Sequence, residues 1–187
     1  LELAVEIGCE WVEIDVRLTK DGHHVILHDS ALERTTDGKG NVTDHTLEQI
    51  RDLDAGSWFA PRFAGQRVPT LPQVLAWAKR KINLYLDGKG VNLERLVKEV
   101  LDAEMEDQVV VFDSKKDADT VHRLSQGRVR IMPNYVKDLP LDAWFRPSAP
   151  TALEVDHDLL SPDLVTRCRS EGVCIQTDAL GVLLDSP

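Results

Sequence analysis

The sequence predicts an α/β fold, alternating strands and helices around a mostly parallel sheet, of the TIM-type (β/α)8 barrel and incomplete as given. Three observations predict it. Short, nearly continuous apolar runs at 82–86, 109–112, 129–132, 152–155 and 173–175 read as strands covered on both faces. Helical patterns fill the gaps, so that strands recur every 20 to 27 residues, as βα repeats do. No Gly-x-Gly-x-x-Gly turn follows the first strand, 11–18, which disfavours the dinucleotide-binding open sheet and leaves the barrel. The chain has 187 residues, against about 250 for a complete barrel. It reads as a single domain, 1–187, with barrel elements missing at its ends.

Each element has a local signal. A first helix should stop at Gly8. In strand 11–18 residues two apart share a face, so Trp11, Glu13, Asp15 and Arg17 point one way and Val12, Ile14 and Val16 the other. Lys20-Asp21-Gly22 is a tight-turn signal, and 24–28 should return as the antiparallel arm of a hairpin. The turn-rich stretch 29–69 is too long for an ordinary βα connection and reads as an insertion at the barrel mouth. Trp58, Phe59 and Phe63 are expected to form its small apolar core, the alternative being the lining of a pocket. Thr46 with Gln49 and Thr70 with Gln73 have capping-box spacing, and Ser161-Pro162 places a cap before a first-turn proline. Leu93, Leu96, Val97, Val100 and Leu101 form a helical stripe, and Gly172 marks a helix stop.

Composition excludes several function classes. The net charge of −10 argues against nucleic acid, which is held by clustered Lys and Arg. No apolar run approaches the ~20 residues of a membrane span, and the first residues do not show the n-region and h-region expected of a signal peptide. Cys9, Cys168 and Cys174 match no zinc spacing and read as buried small hydrophobes of a reducing, cytoplasmic protein.

Chemistry is suggested at few positions. Glu13 and Asp15 share a strand face, where two carboxylates about 6 to 7 Å apart call for a divalent cation, Mg²⁺ or Ca²⁺, unless that face is simply solvated. His28 ends the returning strand and can serve as general acid or base, with Asp29 as an orienting neighbour. Asp87-Gly88-Lys89-Gly90 follows a strand at the end where barrel active sites are built. There Asp87 suits a third metal ligand and Lys89 a phosphate oxygen; the bland alternative is a charged turn. Glu154, Asp156 and His157, Asn134 and Tyr135, and Gln176 and Asp178 follow later strands with no distinctive spacing.

The ordered set Val12-Glu13-Ile14-Asp15-Val16, Leu18-Thr19-Lys20-Asp21-Gly22, Val25-Ile26-Leu27-His28-Asp29, Leu32, Arg34-Thr35-Thr36 and Gly38-Lys39-Gly40 resembles the glycerophosphodiester phosphodiesterase family. Asp54-Ala55-Gly56-Ser57-Trp58-Phe59 and Val68-Pro69-Thr70-Leu71 extend the likeness to Leu75. The resemblance implies a TIM barrel with a small insertion. It also implies metal-dependent hydrolysis of glycerophosphodiesters to glycerol 3-phosphate and an alcohol. Glu13, Asp15 and Asp87 would be metal ligands, His28 and Lys89 catalytic, and Lys89, Glu154 and Trp58 substrate-binding. Most members have Glu where Asp87 stands. The family's His-Arg-Gly and Glu-Asn-Thr motifs fall upstream of Leu1, so its first catalytic histidine and a phosphate-binding arginine are expected to be absent from this chain. The stretch from Gln176 through Asp178 to Pro187 is expected to match the seventh strand and its loop, the alternative being the Thr-Asp of the last strand. Two other readings compete: a non-catalytic barrel that binds metal and phosphodiester, and a related phospholipase acting on lipid head groups.

Overall fold

The computed structural model describes residues 1–177. Among them are seven strands, mostly parallel, in two compact units, Leu1–Val109 and Val110 onward. Among the described residues, hydrogen bonds do not close the strands into a barrel. Asp178 and the segment that follows it lie outside the described residues.

In the first unit, α1 (Glu2–Glu6) leads through Gly8, at φ +82°, into β1 (Trp11–Leu18). The alternation of β1 is realised: Ile14 and Val16 are buried, Glu13 is exposed, and Asp15 and Arg17 are half-buried. Gly22 takes φ +78°, the left-handed conformation that glycine enters without a Cβ penalty. The chain then returns as β2 (His24–Ile26), antiparallel to β1 with Leu18 opposite His24. This arm is shorter than the expected 24–28. The Ile26 amide donates across to the Pro69 carbonyl, and the His28 carbonyl accepts from the Arg17 side chain instead of a ladder amide.

The insertion contains α2 (Leu47–Arg51) and short 3-10 turns, with both parts of the Thr46–Gln49 capping box formed. Its core is aliphatic: Val25, Leu32, Val42, Leu47, Ile50 and Val68. Trp58, Phe59 and Phe63, expected as that core, instead stack edgewise on the surface, with Phe59 65% exposed. The cause is local. The Asp54 carboxylate accepts from the amides of Gly56, Ser57 and Gly65, cinching a loop too tight to fold its rings inward.

Next come α3 (Leu71–Ala78), started by the Thr70–Gln73 capping box, and β3 (Asn83–Lys89), parallel to β1. Then α4 (Leu93–Asp102) is capped by Asn92 and buries Leu96, Val97 and Val100 of its predicted stripe.

The second unit strings β4 (Val109–Asp113), β5 (Arg130–Tyr135), β6 (Ala152–Val155) and β7 (Cys174–Gln176) in parallel pairs. Its helices are α5 (Lys115–Leu124) and α6 (Pro162–Glu171), the latter capped by Ser161 and ended by Gly172 at φ +71°. Trp144, Phe145, Leu153, Val155 and Leu164 centre its core. Cys168 is buried there as expected, but Cys9, in the turn between α1 and β1, and Cys174, the first residue of β7, are exposed. No helix among the described residues is long and apolar enough to cross a membrane.

Acid should loosen the first unit at the hairpin turn. Asp21 accepts from the Thr19 hydroxyl at 2.6 Å and the Leu47 amide at 2.9 Å, and the Thr19 bond leads in lowering its carboxyl to about 2. A carboxyl depressed in the folded state stabilises it above the unfolded pKa near 3.9, and that contribution is lost as pH falls through the folded value. Between pH ~4 and ~2, Asp21→Asn should therefore lose less stability than the parent in denaturant titrations. Equal slopes would mean that the turn does not depend on the ionised carboxylate.

Candidate active site

Parallel pairing of β1 with β3 sets Asp15 beside Asp87 and Arg17 beside Lys89. Because neighbours across a ladder share a face, the acidic residues of both strands project together. Carboxylate oxygens of Glu13, Asp15 and Asp87 all lie within 4.8 Å of one another. Lys89 Nζ contacts Asp15 Oδ1 and lies 3.4 Å from Asp87 Oδ2. The sequence-predicted pair on β1 and the pair on β3 are thus one cluster.

Its electrostatics are one-sided. Burial, then the charges of Asp15 and Asp87, push the Glu13 carboxyl above its ordinary value, and Lys89 and His28 only partly offset them. For Lys89, burial works against the ammonium, but its contacts with Asp15 and Asp87 prevail and keep it charged. Three carboxylates thus face one ammonium. A set of oxygen-only donors short of positive charge suits a hard divalent cation, as Mg²⁺ and Ca²⁺ are. Glu13, Asp15 and Asp87 are the residues that could hold one.

His28 stands beyond the end of β2, its side chain 67% exposed. Its Nδ1 is 2.7 Å from Asp29 Oδ1, and Arg34 grips the same carboxylate at 2.5 Å through Nε and 2.8 Å through Nη2. The Arg34 bonds, then that of His28, hold the Asp29 carboxyl far below the usual carboxylate range. An ionised carboxylate only accepts, so Nδ1 donates and Nε2 is left to exchange protons. Arg17 meanwhile donates to the His28 carbonyl at 2.9 Å through Nε and 2.5 Å through Nη2. Ring and backbone are therefore both braced.

The two arginines are what sequence reasoning missed. Arg17 carried a signal, since it shares the face of Glu13 and Asp15; Arg34 carried none that named its partner. The Asp29 contact agrees with the expectation. Trp58 is 52% exposed, its Nε1 donating to the Ala55 carbonyl. Glu154 lies on β6 in the second unit, opposite Asn134.

The glycerophosphoryl diester phosphodiesterase family model matches residues 1–173. A glycerophosphodiester phosphodiesterase of Caldanaerobacter subterraneus subsp. tengcongensis is 41% identical over 116 residues, 58% of this chain and 47% of that protein. One from Bacillus subtilis is 41% identical over 97 residues, 48% of this chain and 33% of its own length. The chain thus spans about half or less of the length of the curated relatives it matches. Among solved structures, a glycerophosphodiester phosphodiesterase from Agrobacterium tumefaciens superposes with TM-score 0.81 at 25% identity, covering 97% of this chain and 80% of that one. The fold, though not the sequence, is also similar to that of an Oleispira antarctica phosphodiesterase in complex with the product sn-glycerol-3-phosphate, with TM-score 0.73 at 23% identity over 95% of this chain and 76% of that one.

Proposed function

The chain belongs to the glycerophosphoryl diester phosphodiesterase family, and from that premise we propose that it carries part of a catalytic site hydrolysing glycerophosphodiesters to glycerol 3-phosphate and an alcohol. The observation that carries this reading is the convergence of Glu13, Asp15 and Asp87 within 4.8 Å, with Lys89 on two of them. Relatives named as glycerophosphodiester phosphodiesterases and the product named in the Oleispira antarctica structure support the substrate class.

Each side chain has a task. Glu13, Asp15 and Asp87 would hold a divalent cation, which supplies Lewis-acid polarisation of a phosphoryl oxygen. Lys89 offers its ammonium to the oxygens that gain charge as the ester bond breaks. His28, with Nδ1 committed to Asp29, gives a proton from Nε2 to the departing alkoxide. Arg17 and Arg34 do not touch substrate in this scheme; they hold the His28 backbone and the Asp29 carboxylate.

The test is release of glycerol 3-phosphate from a panel of glycerophosphodiesters by the enzyme that carries this chain, before and after treatment with a chelator. Turnover lost on chelation and restored by Mg²⁺ or Ca²⁺ is expected. Binding of cation and diester without turnover would replace this reading with a non-catalytic one, and turnover indifferent to chelation would remove the role given to the carboxylates.

A further inference from the structure

His24, at the start of β2, is fully buried, and both of its ring nitrogens are engaged. Nδ1 lies 2.8 Å from Glu99 Oε2 on α4, and Nε2 faces the backbone amide of Asn92 at 3.2 Å. An amide N–H can only donate, so Nε2 must be bare. On the other side, burial raises the Glu99 carboxyl, but hydrogen bonds from His24 and from Arg95, the latter at 2.8 Å, outweigh it and keep Glu99 ionised. An ionised carboxylate can only accept, so Nδ1 must carry the proton. Two independent partners thus select one form of the ring.

What this ring joins matters for the site. His24 sits opposite Leu18 at the end of β1, the strand of Glu13 and Asp15. Asn92 caps α4 three residues after Lys89, across Gly90 at φ +72°. Lys89 is the last residue of β3, and the glycine-bearing connection that follows it does not steady that strand end by its own stiffness. We infer that His24 is a positioning residue, a neutral imidazole protonated on Nδ1 that pins the β3–α4 connection to the β1–β2 hairpin and so steadies the end of β3 at Lys89 from the side the ladder leaves free. The effect on catalysis rests on the function proposed above; the pin itself does not.

Three measurements separate the two. Nitrogen-15 NMR of the chain should show His24 with a proton on Nδ1 and none on Nε2; a proton on Nε2, or on both, overturns the inference. Amide exchange at Gly90, Val91 and Asn92 should quicken about tenfold or more in His24→Phe, which keeps the ring volume without the bonds. It should slow again in His24→Gln, whose side-chain oxygen can accept from Asn92. Unchanged exchange in His24→Phe sinks the pin, and if the Phe variant fails to fold, the proton assignment on the unaltered ring decides alone. In the enzyme that carries this chain, His24→Phe should lower kcat about tenfold with KM little changed, since small misplacements of catalytic groups are costly. That loss should largely vanish in a Lys89→Ala background. An equal loss in both backgrounds makes His24 merely structural. If Lys89→Ala itself keeps full kcat, the function given to Lys89 fails, and the exchange result still decides for or against the pin.

Discussion

His28→Ala should reduce kcat by about 10²–10⁴-fold, the usual contribution of a general acid or base, and leave divalent cation affinity within about twofold. The separation follows from geometry. His28 is not among the three carboxylates that lie within 4.8 Å of one another, and its ring is held by Asp29, which is not one of them either. A proton donor acts as the leaving oxygen gains charge, so kcat and kcat/KM should fall together. Folding should be little affected. The side chain is 67% exposed, and the Arg17 bonds run to the His28 carbonyl, which alanine retains. Asp29→Asn is the informative companion, because an amide can present a donor to Nδ1 and so favour the wrong tautomer, as well as surrender the paired grip of Arg34. It should therefore lose much of the rate with the imidazole still present. Full kcat in His28→Ala, measured with cation binding intact, would assign proton transfer to another group.

What the sequence disclosed and what it concealed divide by range. The bounds of β1 and β6, both capping boxes and the glycine stop of α6 agree with expectation because each is decided within a few residues by alternation, a side-chain cap or a left-handed φ. Strand-face alternation also narrowed the cluster, since once β1 and β3 pair in parallel Asp15 and Asp87 need only fall in register. Partners far apart in the chain were not legible. Nothing in the composition of 29–69 says that aliphatic residues would fill the insertion core and leave Trp58, Phe59 and Phe63 outside. The early end of β2 depends on Pro69, and the bracing of His28 on Arg17, eleven residues back. The role of His24 rests on Glu99, seventy-five residues away. Such choices are made by packing, and no local periodicity encodes them.

Lys89→Ala is expected to change two observables in opposite directions. Its Nζ touches Asp15 and approaches Asp87 to 3.4 Å, so it competes for the oxygens that would ligate a cation. Two unit charges about 4 Å apart interact by about 4 kcal/mol at an effective dielectric of ~20, and a partly open site screens much of that. Relief of this repulsion should still tighten divalent cation binding by about tenfold in a calorimetric titration. The rate should move the other way. Removing one preorganised charge from the developing transition state costs about 10²–10³-fold in kcat, so a variant that binds its cation better should turn over far more slowly. Misfolding cannot produce that pair of results, because a disrupted cluster binds more weakly. Lys89→Arg should recover part of the rate, since a guanidinium also meets phosphoryl oxygens, yet not all of it, because a planar fork cannot occupy the place of a compact ammonium between two carboxylates. Weaker cation binding in Lys89→Ala would instead make the lysine a scaffold that keeps Asp15 and Asp87 in place. Tighter binding with kcat unchanged would leave phosphoryl stabilisation to the cation alone.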